Sequence, residues 1–225
     1  YTNLSHNFIN MTDKITLGYW GIRGLGQVSR LLLAYTGAVW EDVKYISREQ
    51  WFDKDKKELG LDFPNIPYLI DGDFKLTESK AVNHYIIRKS GKNELLGKNI
   101  KDEALVECVL GVLQDVRTPI GPLFWDKDWE GKIKGVLEKA TPKLDELAKF
   151  YGEKDFALGY LTLADFQIAE FSHYIERISP ETFGKYGFLK RVRTAFENLP
   201  EIKKYYEQET ATKGPFLPPI AAIPF

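Results

Sequence analysis

A tyrosine, a tryptophan and a glycine-rich loop stand where the first short strand is predicted to end. The run KITLGYW, residues 14–20, is rich in β-branched and aromatic residues and leads directly into GIRGLG, residues 21–26, which predicts a strand followed by a turn. In open α/β sheets, ligands bind at the carboxyl ends of the strands, and a tyrosine hydroxyl there can donate a hydrogen bond to a bound group. Tyr19 and Trp20 are therefore candidate site residues, with packing beneath the turn as the alternative.

Residue types and spacing exclude several other kinds of chemistry. The glycines of residues 21–26 do not complete the G-x-G-x-x-G dinucleotide pattern, because position 29 is a serine. Cys108 is the sole cysteine, so the chain cannot form an intrachain disulfide, a redox dithiol or a thiolate metal cluster. The three histidines lie far apart, and none has the i, i+4 spacing of a helical metal pair. We therefore expect no metal centre.

Three further places could each bind a ligand or could serve the fold alone. Glu78 and Ser79 precede a helical pattern, where free N–H groups can bind an anion or can simply be capped. Trp51 could stack on a ligand or donate a hydrogen bond to it, or it could plug its segment against the sheet. Asp115 and Arg117 lie on a mostly apolar helix, where a charge needs a partner, and an internal salt bridge is one solution.

The composition is that of a globular protein with no electrostatic preference for polyanions. Lys and Arg number 31 against 32 Asp and Glu, a net charge of −1, so nothing draws the chain as a whole to nucleic acid or to an anionic membrane. No window holds the roughly eighteen consecutive apolar residues of a membrane span, and the start lacks the features of a signal peptide. We expect a cytoplasmic protein, with residues 1–13 as an extension outside the fold, either a leader or an expression remnant.

Up to residue 94, short strand patterns alternate with helical patterns. They follow one another as a strand at 14–20, a helix at 28–35 that stops at Gly37, a strand at 40–46, a weakly helical segment at 48–58, a loop, strand and turn at 63–72, a strand at 74–77 and a helix at 77–89. This βαβαββα order combines a parallel crossover with an antiparallel hairpin, as in a compact α/β layer fold. We assign residues 14–94 to this first domain.

From residue 95 onward the long segments have helical periodicity, which predicts a second, all-α domain over residues 95–225. The apolar residues between 104 and 116 cover most of a helix circumference, so this helix is predicted to be buried on nearly all sides, with Cys108 as an inert core thiol. Residues 163–178 show the same pattern. The sequence TLAD at 162–165 has the shape of a capping box with Asp in place of Glu.

Six motifs follow one another along the chain: GYWGIRGLG, LLLAYTG, REQW, ELGLDFPNIPYLIDGDFKLTES, LQDVR and TLADF. In order and spacing they resemble the cytosolic glutathione S-transferases, most closely the mu class, from Lys14 to about Pro219. The resemblance implies a thioredoxin-like N-terminal domain followed by an all-helical C-terminal domain. It also implies a homodimer that conjugates glutathione, its co-substrate, to small apolar electrophiles in detoxification.

Two other interpretations share this fold. A non-catalytic relative could keep the fold, and even glutathione binding, as a ligand-binding or structural protein. A dithiol oxidoreductase is excluded, because no cysteine lies near Tyr19.

The resemblance assigns a glutathione site residue by residue. Tyr19, in GYW, would donate a hydrogen bond to the glutathione sulfur. The other implied contacts are Trp20, Leu25, Trp51, either Lys54 or Lys56, Asn65, Ile66, a cis Pro67, Glu78, Ser79 and, across the dimer interface, Asp115. The chain has one residue more between Trp51 and Gly60 than the mu class, which leaves both lysines open, although the distance from Gly60 favours Lys56.

The electrophile would bind beside this site, where the chain departs from the family. Ile22 and Gly121 match acceptor-pocket positions, whereas Trp125 stands where the family has a second tyrosine hydroxyl. Pro119 interrupts what is a continuous helix in the family, which predicts a kink or break there. The mu loop after the second strand is absent, which implies a more open acceptor site, and the uncharged tail, residues 215–225, is expected to close it.

Phe63, in LDFPN, matches the aromatic side chain that mu-like subunits insert into a partner pocket. A large apolar side chain projecting from a loop needs a cover, and this supports the expected homodimer.

Overall fold

A four-stranded sheet forms the base of the N-terminal half. The computed structural model describes residues 14–223, so the extension predicted at residues 1–13 lies outside the described residues. The strands are β1 (Ile15–Trp20), β2 (Trp40–Tyr45), β3 (Tyr68–Asp71) and β4 (Phe74–Thr77). They lie in the order β2-β1-β3-β4, with β1 parallel to β2 and antiparallel to β3, and β3 antiparallel to β4. The predicted combination of a parallel crossover and a hairpin is confirmed.

Helices α1 (Gln27–Thr36) and α3 (Ser79–Lys89) pack against each other and share one core with the sheet. Both begin close to the carboxyl ends of strands. Helix α1 ends at Gly37, which has φ 72°, a left-handed conformation that costs glycine little. The helix end predicted at Gly37 is confirmed.

The segment between β2 and β3 contains a π-helical turn, Gln50–Asp55, followed by the short helix α2 (Lys56–Glu58). The N–H of Lys56 bonds to the carbonyl of Trp51, five residues earlier. A π-turn takes up one residue more than an α-turn, so it accommodates the additional residue that the sequence carries before Gly60. Trp51 and Lys56 are thus one helical turn apart.

The C-terminal half is a set of helices around α6. They are α4 (Ile100–Ile120), α5 (Trp129–Tyr151), α6 (Leu163–Ile178), α7 (Pro180–Lys185), α8 (Gly187–Glu197) and α9 (Pro200–Glu207). Helix α6 is buried on nearly all sides, as predicted, and contacts α4, α7, α8 and also α1. Because α9 packs on α1 as well, the two halves meet along α1. No helix within the described residues has the length and apolarity needed to span a membrane.

Helix α4 is buried along one stripe rather than on nearly all sides. Its buried side chains recur three or four residues apart and are Val106, Val109, Leu113, Val116 and Ile120. Leu105 is 40% exposed and Cys108 is exposed, so the prediction that Cys108 is a core thiol is wrong. The apolar pattern was misleading because part of it lies on a face that no other element among the described residues covers.

The end of α4 shows how the chain accommodates Pro119. The α-helix continues through this proline to Ile120, and a 3-10 turn, Gly121–Trp125, follows at once. The proline has no N–H to donate to the helix. The helix thus changes to a tighter 3-10 turn from Gly121, and it is not broken at Pro119 itself.

The buried carboxylate of Asp165 anchors the start of α6. It accepts hydrogen bonds from the N–H groups of Thr162 and Ala157, both at 2.8 Å, and from the hydroxyls of Thr162 at 2.8 Å and Tyr151 at 3.1 Å. The capping box predicted at this position is confirmed. Burial raises the pKa of Asp165 to about 6, although these hydrogen bonds oppose the rise.

Replacing Asp165 by asparagine should destabilise the protein in a pH-dependent way. The amide places a donor against the Thr162 N–H, so Asp165→Asn should lower the free energy of unfolding by about 1–3 kcal/mol near neutral pH. The native pKa near 6 lies above the ordinary value of 3.8, so the wild type gains stability as the pH falls through 6 and the variant does not.

In urea denaturation the stability difference between the two proteins should widen by about 2 kcal/mol from roughly pH 7.5 to roughly pH 4.5. A difference that stays constant over this range would contradict the raised pKa.

Candidate active site

Tyr19 lies at the carboxyl end of β1, and its hydroxyl is held by the following loop. The residue is 6% exposed, and its oxygen accepts a hydrogen bond from the Leu25 N–H at 3.0 Å. Burial raises the pKa of Tyr19, although that hydrogen bond and the charge of Arg30 oppose the rise. The hydroxyl therefore keeps its proton near neutral pH. Because Leu25 occupies a lone pair of the oxygen, the proton remains available to another acceptor.

The loop after β1 wraps closely around the Tyr19 ring, and glycines make this approach possible. A Cβ at Gly26 would lie 2.6 Å from the ring, and a Cβ at Gly24 would lie 2.7 Å from the hydroxyl. Gly24 also has φ 41°, which residues with a side chain rarely adopt. At Gly21 the nearest atom would be 3.7 Å away, an ordinary contact. The glycine spacing in this loop is therefore explained by the tyrosine rather than by a phosphate.

Arg30, on α1, fixes the backbone on both sides of Gly21. Its buried guanidinium donates hydrogen bonds to the carbonyl of Trp20 at 3.0 Å and to that of Ile22 at 2.7 Å. It also forms an ion pair with Asp42 of β2 at 2.9 Å. The strand end that carries the tyrosine is thus tied to both α1 and β2.

Arg23 connects the same loop to the helical half. Its guanidinium forms a two-point ion pair with Glu170 of α6, with Nε 3.0 Å from Oε1 and a second contact between Nη2 and Oε2. Both side chains are at most 5% exposed. The Arg23 N–H donates to the carbonyl of Pro215 at 2.8 Å, so the loop is also joined to the tail. No local pattern could predict this pair, because its members are 147 positions apart.

An apolar cavity of about 420 Å³ lies between this loop, the end of α4, α6 and the tail. Its walls include candidates from both halves of the chain: Tyr19, Trp20, Ile22, Leu25, Gly121 and Trp125. Leu217 and Pro218 belong to the tail that was expected to close the acceptor site, and they also line the cavity. Sequence patterns did not place the other wall residues here: Gly24, Arg117, Ile120, Phe124, Phe171 and Tyr174. Helical periodicity indicates that a residue such as Phe171 is buried, but it does not indicate which cavity the residue faces.

The tail forms one side of this cavity. Leu217 is 8% exposed and lines the cavity. The ring of Phe216 contacts the guanidinium groups of Arg23 and Arg177, which lie 4.4 Å and 4.0 Å from its centroid. The carbonyl of Phe216 accepts a hydrogen bond from the Gly24 N–H at 3.2 Å. These contacts seat the tail against the loop that holds the tyrosine.

A second groove, of about 490 Å³, shares walls with the cavity and runs past the start of α3. Ser79 begins α3 and lines this groove. The Asn65 amide donates to the Glu78 carboxylate at 3.1 Å. Glu78 has φ 69°, the one such positive value for a non-glycine residue among those described, and backbone strain of this kind clusters at functional sites. The Ile66–Pro67 peptide bond is cis.

Trp51 packs in the core of the first half. It is 2% exposed, stacks on Tyr68 with ring centroids 6.0 Å apart, and meets Tyr45 edge-on at 5.5 Å. The side chain thus plugs its segment against the sheet.

Of the two candidate lysines, Lys56 lies over an aromatic ring. Its Nζ lies 5.3 Å from the ring centroid of Phe52, and that ring contacts the indole of Trp20 with centroids 6.2 Å apart. Lys54 is exposed.

Asp115 and Phe63 lie outside the cavity. The Asp115 side chain is 63% exposed on α4, 4.0 Å from Lys143, and it forms no ion pair with Arg117, which donates to Gln167 at 2.7 Å. Phe63 is 76% exposed. The described residues contain no group of three or more His, Cys, Asp or Glu side chains arranged to hold a metal ion.

The fit of the loop around Tyr19 predicts different outcomes for two glycine substitutions. Gly26 has φ −81°, which alanine adopts easily, so the cost of Gly26→Ala comes from the contact of its Cβ with the ring. Overpacking of this kind should lower the free energy of unfolding by about 1–3 kcal/mol. Gly21→Ala, in the same loop, should change it by less than about 0.5 kcal/mol. Urea denaturation of both variants checks this, and a Gly26→Ala protein as stable as the wild type would refute it.

Known proteins share both halves of this architecture. The family models described as glutathione S-transferase, N-terminal domain, and glutathione S-transferase, C-terminal domain, match residues 15–88 and 114–209. Glutathione S-transferase Mu 2 of Macaca fuscata fuscata is 36% identical over 200 residues, which cover 85% of this chain and 89% of the relative. The class-mu 26 kDa isozyme 51 of Fasciola hepatica is 36% identical over 203 residues, or 88% and 91% of the two chains.

A solved glutathione S-transferase structure is also similar to this chain in three dimensions. The crystal structure of the glutathione S-transferase Blo t 8 is similar with a TM-score of 0.81 at 27% identity, covering 92% of this chain and 99% of that chain. The similarity thus extends over both the sheet and the helical half.

Proposed function

This chain belongs to the glutathione S-transferase family, and from that membership we propose that Tyr19 activates the thiol of glutathione for attack on apolar electrophiles. The protein is a mu-like glutathione transferase, which joins the glutathione sulfur to a second, electrophilic substrate. The observation that carries the role of Tyr19 is its buried, loop-held hydroxyl at the cavity wall.

A hydrogen bond from Tyr19 is large enough for this task. A thiol with a pKa of about 8.5 is only a few per cent ionised near neutral pH. A hydrogen bond to the charged form contributes about 1.5–3 kcal/mol, which corresponds to about one to two pKa units. Such a shift makes the thiolate a major species. Because the pKa of Tyr19 is itself raised, the tyrosine remains a donor instead of ionising.

Glutathione would lie along the groove beside the cavity, with its γ-glutamyl end at the start of α3. There Ser79 and the helix N-terminus attract the carboxylate. The hydrogen bond from Asn65 steadies the carboxylate of Glu78. The backbone of Ile66, before the cis Pro67, would bond to the cysteinyl unit.

The glycyl end would meet the segment after β2. The indole N–H of Trp51 and the ammonium group of Lys56 would bind its carboxylate. Trp20 and Leu25 would flank the tripeptide, since both line the cavity beside the tyrosine. Asp115, exposed on α4, would reach the glutathione ammonium group in the other subunit of a dimer.

The electrophile would bind in the cavity against Ile22, Gly121 and Trp125. Trp125 offers an indole where the family has a second tyrosine, so catalysis would depend on Tyr19 and on holding both reactants close together. A ligand-binding protein without turnover is the alternative function. The retained geometry around Tyr19 favours the transferase.

Tyr19→Phe removes the proposed donor and keeps the ring. The kcat/KM for conjugation of 1-chloro-2,4-dinitrobenzene should fall about 10- to 100-fold, in line with a loss of one to two pKa units of thiol activation. The KM for glutathione should change little, because the hydroxyl contacts only the sulfur. The matched control is Tyr35→Phe, half-buried on α1 and outside the cavity walls.

Two results would contradict this assignment. A Tyr19→Phe protein as active as the wild type would exclude the tyrosine as the donor. A wild type that binds glutathione but turns over no electrophile would favour the ligand-binding alternative.

We further propose that the protein acts as a homodimer. Phe63 is 76% exposed on its loop, and α4 presents Leu105 and Cys108 on an uncovered face. Apolar side chains of this kind are covered in stable assemblies. A second copy of the chain would cover them and bring Asp115 to the neighbouring site.

Phe63→Glu should disrupt that dimer, because it would place a charge in an apolar partner pocket. Light scattering after size-exclusion chromatography should show a dimeric wild type and a variant whose dissociation constant is about 100-fold higher or more. Ile46→Glu, at an apolar residue 84% exposed elsewhere, should leave the mass unchanged. A monomeric wild type, or a Phe63 variant that dimerises normally, would rule the proposal out.

The biological setting we propose is detoxification in the cytoplasm. Cys108 is the sole cysteine of the 225 residues, so the chain needs no oxidising compartment for a disulfide of its own. Conjugation of apolar electrophiles there would make them more polar and less reactive.

A further inference from the structure

Arg117 places a positive charge in the wall of an otherwise uncharged cavity. Among the described residues that line the cavity, Arg117 alone carries a charge, and the others are aromatic, aliphatic, proline or glycine. A charge beside apolar surface is costly unless it has a partner. The position of this guanidinium therefore raises the question of what neutralises it.

The nearby acidic residues do not neutralise Arg117. Glu170 acts on its charge, but both Glu170 oxygens already bond to Arg23. Asp115, two residues earlier, is largely exposed on another side of α4. Within the described chain the hydrogen bond that Arg117 makes is to the neutral amide of Gln167, at 2.7 Å. Arg23 takes both oxygens of the Glu170 carboxylate, and Arg117 bonds to a neutral amide. One positive charge, that of Arg117, therefore remains at the cavity wall without an ion-pair partner among these residues.

Tyr174 contributes a hydroxyl to the same wall. The residue is 8% exposed and lines the cavity. Burial raises the pKa of Tyr174 well above its usual range, and the Glu170 carboxylate adds to the rise while Arg117 opposes it, so Tyr174 stays neutral. Its hydroxyl donates a long hydrogen bond to the carbonyl of Phe216, at 3.4 Å, and would exchange this acceptor for the oxygen of a bound carboxylate. A guanidinium and a hydroxyl can together bind the two oxygens of one carboxylate.

We propose that Arg117 and Tyr174 form an anion subsite in the cavity, so that the preferred electrophiles are apolar molecules carrying one carboxylate. The role of the cavity as the acceptor site rests on the proposed function. The carboxylate would supply the counter-charge that Arg117 lacks. The apolar body would pack on Phe124 and Phe171, with its reactive carbon toward Tyr19.

Equilibrium binding of a matched pair of aromatic electrophiles, measured without glutathione, tests the subsite independently of turnover. The two compounds are 4-chloro-3-nitrobenzoate, which carries an ionised carboxylate, and 4-chloro-3-nitrobenzamide, which carries a neutral amide of similar shape in its place. By isothermal titration calorimetry the benzoate should bind the wild type about tenfold more tightly or better. Arg117→Met, which keeps an apolar stem, should abolish that preference, and Tyr174→Phe should reduce it about threefold.

Two further variants separate the subsite from general effects of charge and folding. Arg117→Lys keeps the charge and should keep part of the preference. Arg88→Met removes an arginine that pairs with Glu103 at the surface of α3, and it should bind both ligands as the wild type does. Equal binding of the two ligands to the wild type, binding of neither, or a preference that survives Arg117→Met would overturn the subsite.

The proposed function and the anion subsite are tested by different measurements. Turnover of the neutral 1-chloro-2,4-dinitrobenzene tests the transferase reaction without a carboxylate, and the calorimetric preference tests the subsite without glutathione. A protein that conjugates the neutral electrophile but shows no preference for the benzoate would keep the function and lose the subsite.

Discussion

A buried ion pair between Arg23 and Glu170 joins the two halves of the protein at the place where the site is built. Arg23 belongs to the loop whose Leu25 N–H holds the Tyr19 hydroxyl, and its own N–H bonds to the tail at Pro215. Taking away one member would leave the other charge buried and unpaired, which costs about 3–5 kcal/mol in typical proteins. The positions of the nucleophile site, helix α6 and the tail are therefore linked through one contact.

The two halves that the Arg23–Glu170 ion pair joins have different roles in the proposed reaction. In the proposed function the N-terminal half would hold glutathione and its sulfur, because the sheet places Tyr19 at a strand end and the glycines of the loop let the backbone close around the ring. The helical half and the tail supply most of the cavity walls, where the second substrate is proposed to bind. Both oxygens of Glu170 bond to Arg23, and the neighbouring Arg117 lines the cavity with its hydrogen bond to Gln167. The ion pair between Arg23 and Glu170 therefore also affects the charge at the cavity wall.

Features that depend on local pattern could be predicted from the sequence, whereas features that depend on distant partners could not. The end of α1 at Gly37 and the capping box of Asp165 follow from residue type and spacing, and the structure confirms both. The exposure of Cys108 was not predictable, because an apolar face that awaits a partner has the same periodicity as a core face. Likewise, the pairing of Arg23 with Glu170 depends on topology alone.

The pKa of the glutathione thiol on the protein is the most direct test of the central claim that Tyr19 stabilises the thiolate. The ultraviolet absorbance of the thiolate can be followed across pH for bound glutathione in the wild type and in Tyr19→Phe. If the tyrosine donates to the sulfur, the thiol pKa should lie about one to two units below its free value in the wild type and should return close to that value in the variant. A wild type with an unshifted thiol, or a shift that survives the substitution, would contradict it.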